Sequence, residues 1–141
     1  MRHPIVSKAP TKRSRLTEYQ VSLFCRLSDD LIRAFHNDSS ELRYKPEYER
    51  FIQGAYACGF VCTDFVPIGS VLKQAEKDDW VENAPFKSVR RYVHTLIRSE
   101  RHADMGEDWG GGNIYSAIRN GVLQRIVSRL ASEREWRKED Q

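Results

Sequence analysis

Phe86, Val89, Val93, Leu96 and Ile97 recur three and four positions apart. That spacing lines one side of an α-helix, and a strand with its period of two cannot gather it on one face. The same interval returns in Tyr19, Leu23, Phe24, Leu27, Leu31 and Phe35, in Tyr48, Phe51, Ile52, Ala55 and Tyr56, and in Val122, Leu123, Ile126, Val127 and Leu130. The segment FVCTDFVP is too short and interrupted to compete as a strand and reads as a buried connector. The pattern predicts an all-α fold: a single compact domain of five or six helices over residues 16–138. Residues 1–15 form a disordered basic arm, because two prolines, many charges and no periodicity leave it nothing to bury.

Local punctuation sets the expected boundaries. Thr17 with Gln20 makes a capping box, and Leu16 with Val21 a hydrophobic staple, so the first helix begins there and runs to about His36. Asn37-Asp38-Ser39-Ser40 breaks it. Pro46 opens a second helix and Gly59 stops it in a left-handed turn. Asp64 or Thr63 can cap a short helix around Pro67 to Lys77. Asn83 and Pro85 introduce the longest periodic stretch, which runs to about Ala103. Three consecutive glycines in DMGEDWGGGN cannot lie inside a stable helix. Asn113 then caps a short helix to Asn120, Gly121 resets the direction, and Val122 to about Trp136 forms the last helix.

At 141 residues with 40% apolar content, the chain suits one domain with a real core. Its apolar runs are too short to span a bilayer, and MRHPIVSKAPTKRSRL is not a secretory leader, so the expectation is a cytoplasmic protein with no membrane partner. Cys25, Cys58 and Cys62 are odd in number and lie among apolar neighbours, which predicts reduced, mostly buried thiols. Cys58 and Cys62 stand four apart with no second Cys/His pair, and His94 and His102 stand eight apart, so no metal or other cofactor is expected.

The segments RFIQGAYACGFV, TDFVP, SVRRYVHTLIRSERH and IYSAIRNGVLQRIVSRL occur in an order that resembles a family of small bacterial proteins known only as a domain of unknown function, number sixty-five-oh-eight. The resemblance covers roughly the last two thirds of the chain; Arg98-Ser99-Glu100-Arg101 and Ala117…Gly121…Arg129-Leu130 are its most distinctive parts. The chain departs from the family at VPIGSVL, where a tryptophan-rich continuation is usual, and in the glycine-rich loop. The resemblance implies a helical fold of bacterial or mobile-element origin and no particular reaction.

Two patterns carry possible binding chemistry. Lys87, Arg91, His94, Arg98 and Arg101 stack along one helix face with Arg90 beside them, and no acid intervenes between Lys87 and Ser99. Like charges at that spacing repel, so something negative should cover them. It is either an external anion or an acidic stretch of the same chain, Glu76, Asp78, Asp79 and Glu82, or Asp104, Glu107 and Asp108. The second pattern is helix-turn-helix-like. Ala117, Gly121, Val122, Val127 and Leu130 fit its crossing and docking positions and would leave Gln124, Arg125, Ser128 and Arg129 outward for phosphates and base edges. Ser116 and Asn120, however, stand where that motif wants apolar residues.

No nucleophile elbow, paired-carboxylate or histidine-metal motif occurs, so no catalytic residue is assigned. A dispersed site around Arg98, Glu100, Arg101 and His102 is the enzymatic alternative. Trp109, on the glycine-rich loop, is a candidate partner contact. The leading expectation is a non-enzymatic binding protein using the basic face against a nucleic acid, or against an acidic or nucleoprotein surface. An inhibitor of a host defence complex is one version. The DNA reader is the alternative.

Overall fold

The computed structural model describes residues 15–62, 65, 69–103 and 112–132, with backbone alone at 101–103 and 132. Residues 1–14 of the expected arm, Thr63 and Asp64, the loop residues Asp104, Glu107, Asp108 and Trp109, and the end of the last helix beyond 132 lie outside the described residues. Within them the chain forms seven α-helices: α1 (Glu18–Asn37), α2 (Pro46–Ala57), α3 (Ser70–Gln74), α4 (Trp80–Asn83), α5 (Phe86–Ala103), α6 (Gly112–Arg119) and α7 (Val122–Ser132). A 3-10 turn at Leu42–Tyr44 joins α1 to α2, and no strand occurs among the described residues. The fold is all-α. No described helix is long and apolar enough to cross a membrane.

The capping box forms as spelled: Thr17 Oγ1 accepts from the Gln20 amide at 3.1 Å, and Gln20 Oε1 accepts from the Thr17 amide at 2.8 Å. Leu16 and Val21 are both buried beside it. Phe24 then inserts between α1 and α2, its ring stacked 4.3 Å from Phe60 and 5.6 Å from Phe51. The helices press close because residue 54 is glycine. A Cβ there would lie 2.2 Å from Leu27 Cδ1. The second helix stops as expected at Gly59 (φ 86°), where the Phe60 amide reaches back to the Ala55 carbonyl at 3.0 Å.

α5 is the central element. Its Val89, Tyr92, Val93, Leu96 and Ile97 are buried, and it packs against α2, α3 and α6. α7 leans on α1, α4 and α6 after a turn at Gly121 (φ 83°). The short helix expected around 67–77 is found as α3, Ser70–Gln74, with residues 67 and 68 outside the described ones. α4 was not foreseen: four residues entered through a left-handed Asp79 (φ 68°) leave no periodicity to read.

Candidate functional site

α5 carries the expected cations, but the fold divides them. Lys87 is exposed, and Arg91 and Arg98 are half-buried. Arg90 and His94 are inside, 0% and 1% exposed, which corrects the expectation of one outward row. The Arg101 side chain lies outside the described residues. The physical reason is that α5 is wrapped on more sides than its apolar stripe implies: Tyr92 through Ile97 are buried without interruption. Arg90 Nη2 donates to the Gly59 carbonyl at 2.8 Å, so this guanidinium fastens the end of α2 to α5.

His94 sits between Arg91 and Arg98 on the same side of the helix. Its Nδ1 accepts from the Cys62 amide at 3.3 Å, which leaves the ring proton of the neutral form on Nε2. The Phe65 ring packs edge-on against the imidazole at 5.7 Å, and the Arg91 guanidinium lies over that same ring at 5.2 Å. Burial, then the charges of Arg98 and Arg91, push the His94 pKa down from 6.5 to about 4. His94 Nε2 and Arg91 Nε are both shut from solvent without a hydrogen-bond partner among the described residues.

No described carboxylate pairs with Lys87, Arg91 or Arg98. Arginines elsewhere do find acids: Arg33 meets Asp30 at 3.4 Å and Arg50 meets Glu47 at 4.0 Å. Those pairs border an open depression of about 650 Å³ between α1 and α2, where the charges are mixed.

The depressed His94 pKa has a sign that can be checked. The unfolded chain takes up a proton near pH 6.5 that the folded chain refuses until about pH 4. This contribution to stability is therefore complete above about pH 6.5 and is lost as pH falls toward 4, with a slope of up to about 1.4 kcal/mol per pH unit. Urea unfolding of wild type and His94→Asn at a series of pH values should show the slope shrinking in the variant. Parallel curves would remove the assignment.

The mid-chain acids meet a different helix from the one expected. Arg125 on α7, not α5, receives Glu82, through Nε to Oε2 at 3.0 Å and Nη2 to Oε1 at 2.8 Å. The same guanidinium donates to the Lys77 carbonyl at 3.3 Å. Its hydrogen bond is the main influence holding the Glu82 carboxyl below the usual range. Arg129 is buried and donates to the carbonyls of Val81 at 2.8 Å and Ala84 at 2.7 Å, and Gln124 Nε2 donates to the Ile118 carbonyl at 3.0 Å. Thus α4 lies across the face expected to read bases: Arg125 and Arg129 are clamps, and only Ser128 of that set is fully exposed. Being partly wet, the Arg125–Glu82 pair contributes about 1 kcal/mol or less.

Glu100, named above in the distinctive Arg98–Arg101 segment and in the dispersed enzymatic site, has a structural role that spacing did not disclose. It is 1% exposed. Tyr48 Oη donates to its Oε2 at 2.5 Å, while the amides of Asn113 and Ile114 donate to Oε1 at 2.8 and 3.0 Å. A carboxyl group on α5 therefore caps the start of α6, in place of the expected Asn113 side chain. Gly112 (φ 65°) permits this approach, since a Cβ there would fall 2.8 Å from Oε1. The contacts join three helices. The side chains of Arg101 and His102 lie outside the described residues.

Cys58 and Cys62 are buried thiols and Cys25 a half-buried one. Burial is the main cause that lifts Cys25 and Cys58 to about 11, so neither is a ready nucleophile. Among the described residues no three His, Cys, Asp or Glu side chains gather as a metal site.

No curated protein and no solved structure matches the chain. Residues 38–136 match the model of a family of unknown function, DUF6508, and the chain belongs to that family.

Proposed function

We propose that this protein is a non-enzymatic binding protein that engages the phosphate backbone of a nucleic acid through the outer edge of α5. The observation that carries this reading is the set Lys87, Arg91 and Arg98, three cations on one helix with no described carboxylate paired to any of them. Guanidinium groups suit phosphate because their planar forks donate two parallel hydrogen bonds. The basic residues Arg2, Lys8, Lys12, Arg13 and Arg15 add positive charge in the same chain. The net charge of only +3 argues for a local patch rather than a polycation.

The test is a titration of labelled duplex and single-stranded oligonucleotides over a salt series. Affinity should fall steeply as salt rises, by about 0.9 in the logarithmic slope for each duplex phosphate neutralised. Arg91→Ala with Arg98→Ala should weaken binding at least tenfold and flatten that slope by about two. Arg125→Ala should leave it alone. Binding that ignores salt, or survives the double substitution unchanged, overturns the proposal.

A further inference from the structure

Two of the hydrogen-bond donors on this side of α5 make no hydrogen bond of ordinary geometry among the described residues. Arg91 Nε and His94 Nε2 are each closed to solvent and unbonded among the described residues, although a buried donor left unsatisfied costs about 1–3 kcal/mol. They stand three positions apart, about one turn, and both side chains pack on the Phe65 ring. Arg98 follows one turn beyond His94. Burial is the first cause of the low His94 pKa and the charges of Arg98 and Arg91 follow, opposed by a weaker interaction with the Phe65 backbone; no described carboxylate is among the causes. Cys62 contributes only its backbone amide, already given to Nδ1. Orphan donors grouped beside unpaired cations want an acceptor that carries negative charge and several oxygens.

We infer that Arg91, His94 and Arg98, with Phe65 as their platform, form a pocket for a single phosphate group, held by Nε–H of the neutral imidazole and by the two guanidinium groups. The inference rests on the reading of α5 as the anion-facing helix and narrows it to one anchored phosphate. Because both orphan nitrogens lie beneath the surface, the phosphate enters as the Phe65 ring shifts, and the ring resonances of His94 and Phe65 report its arrival.

The experiment is an NMR titration of the full chain with inorganic phosphate, followed by binding of oligonucleotides with and without a 5′-phosphate. Phosphate should shift the His94 ring nitrogens saturably. His94→Gln keeps an amide N–H close to the place of Nε2 and should hold phosphate affinity within about threefold. His94→Asn offers the Cys62 amide an acceptor in place of Nδ1 but removes the outer donor, and should weaken phosphate at least tenfold. A preference for the 5′-phosphorylated strand would identify a terminal group as the source; equal binding of both strands, lost in His94→Asn, would identify the internal backbone. Unmoved His94 resonances, or equal losses in the Asn and Gln variants, overturn the inference. If oligonucleotides still bind with the expected salt slope in that case, the broader reading stands. Conversely, a saturable His94 shift without salt-dependent oligonucleotide binding would overturn the broader reading and leave the phosphate pocket.

Discussion

Glu100→Ala will cost about 3 kcal/mol or more of folding stability, because it strands three donors at once. The Tyr48 hydroxyl and the amides of Asn113 and Ile114 all end on this one carboxyl group, and Tyr48 and Ile114 are themselves buried. Each unsatisfied buried donor costs about 1–3 kcal/mol, and alanine offers none of them an acceptor. Tyr48→Phe should cost less, about 1–2 kcal/mol, since the two amide bonds survive it. The double variant should fall short of the sum, as expected of residues in direct contact. Urea unfolding with an unchanged m-value is the measurement. A loss below about 1 kcal/mol for Glu100→Ala would mean that α6 holds its place without this carboxyl group. That outcome would return Glu100 to the list of groups available for other chemistry.

Phe24→Ala should be as damaging, at about 3–5 kcal/mol, the usual cost of emptying a fully buried aromatic position. The ring is 0% exposed and touches both Phe51 on α2 and Phe60 beyond it. A typical domain has only about 5–15 kcal/mol in total, so this single change takes a large share. The result bears on the extent of the domain. The family match begins at residue 38, after α1 has ended, yet α1 packs on both α2 and α7. Thus α1 belongs to the same core. Tyr19→Ala on the same helix is the comparison: its ring is 70% exposed and its loss should stay within about 0.5 kcal/mol. Equal effects from the two substitutions would contradict the packing described for Phe24.

Where the signal was local, the reading and the structure agree. Thr17 and Gln20 are three residues apart, and nothing distant is needed for their reciprocal bonds. Gly59 and Gly121 end helices through their own backbone angles. The misplaced features are contacts between residues far apart in the chain. Arg125 lies 43 positions from Glu82, and Arg90 lies 31 from Gly59. A helical wheel says which residues share a face, but not how many faces a neighbour will cover. On α5 the answer was nearly all of them, so Arg90 and His94 went inward while Arg91 and Arg98 stayed at the edge.

Local spacing and capping thus determined that this chain is helical, where most of its helices begin, and that α5 carries a row of cations with no acid between Lys87 and Ser99. Which of those cations meet water, and which acids meet which arginines, was decided only when the helices packed. Hydrogen bonds and ion pairs act over a few ångströms in space and take no account of separation along the chain. The same amino acid, arginine, therefore became a clasp at positions 90, 125 and 129 and, at 91 and 98, a half-buried charge that meets no described carboxylate.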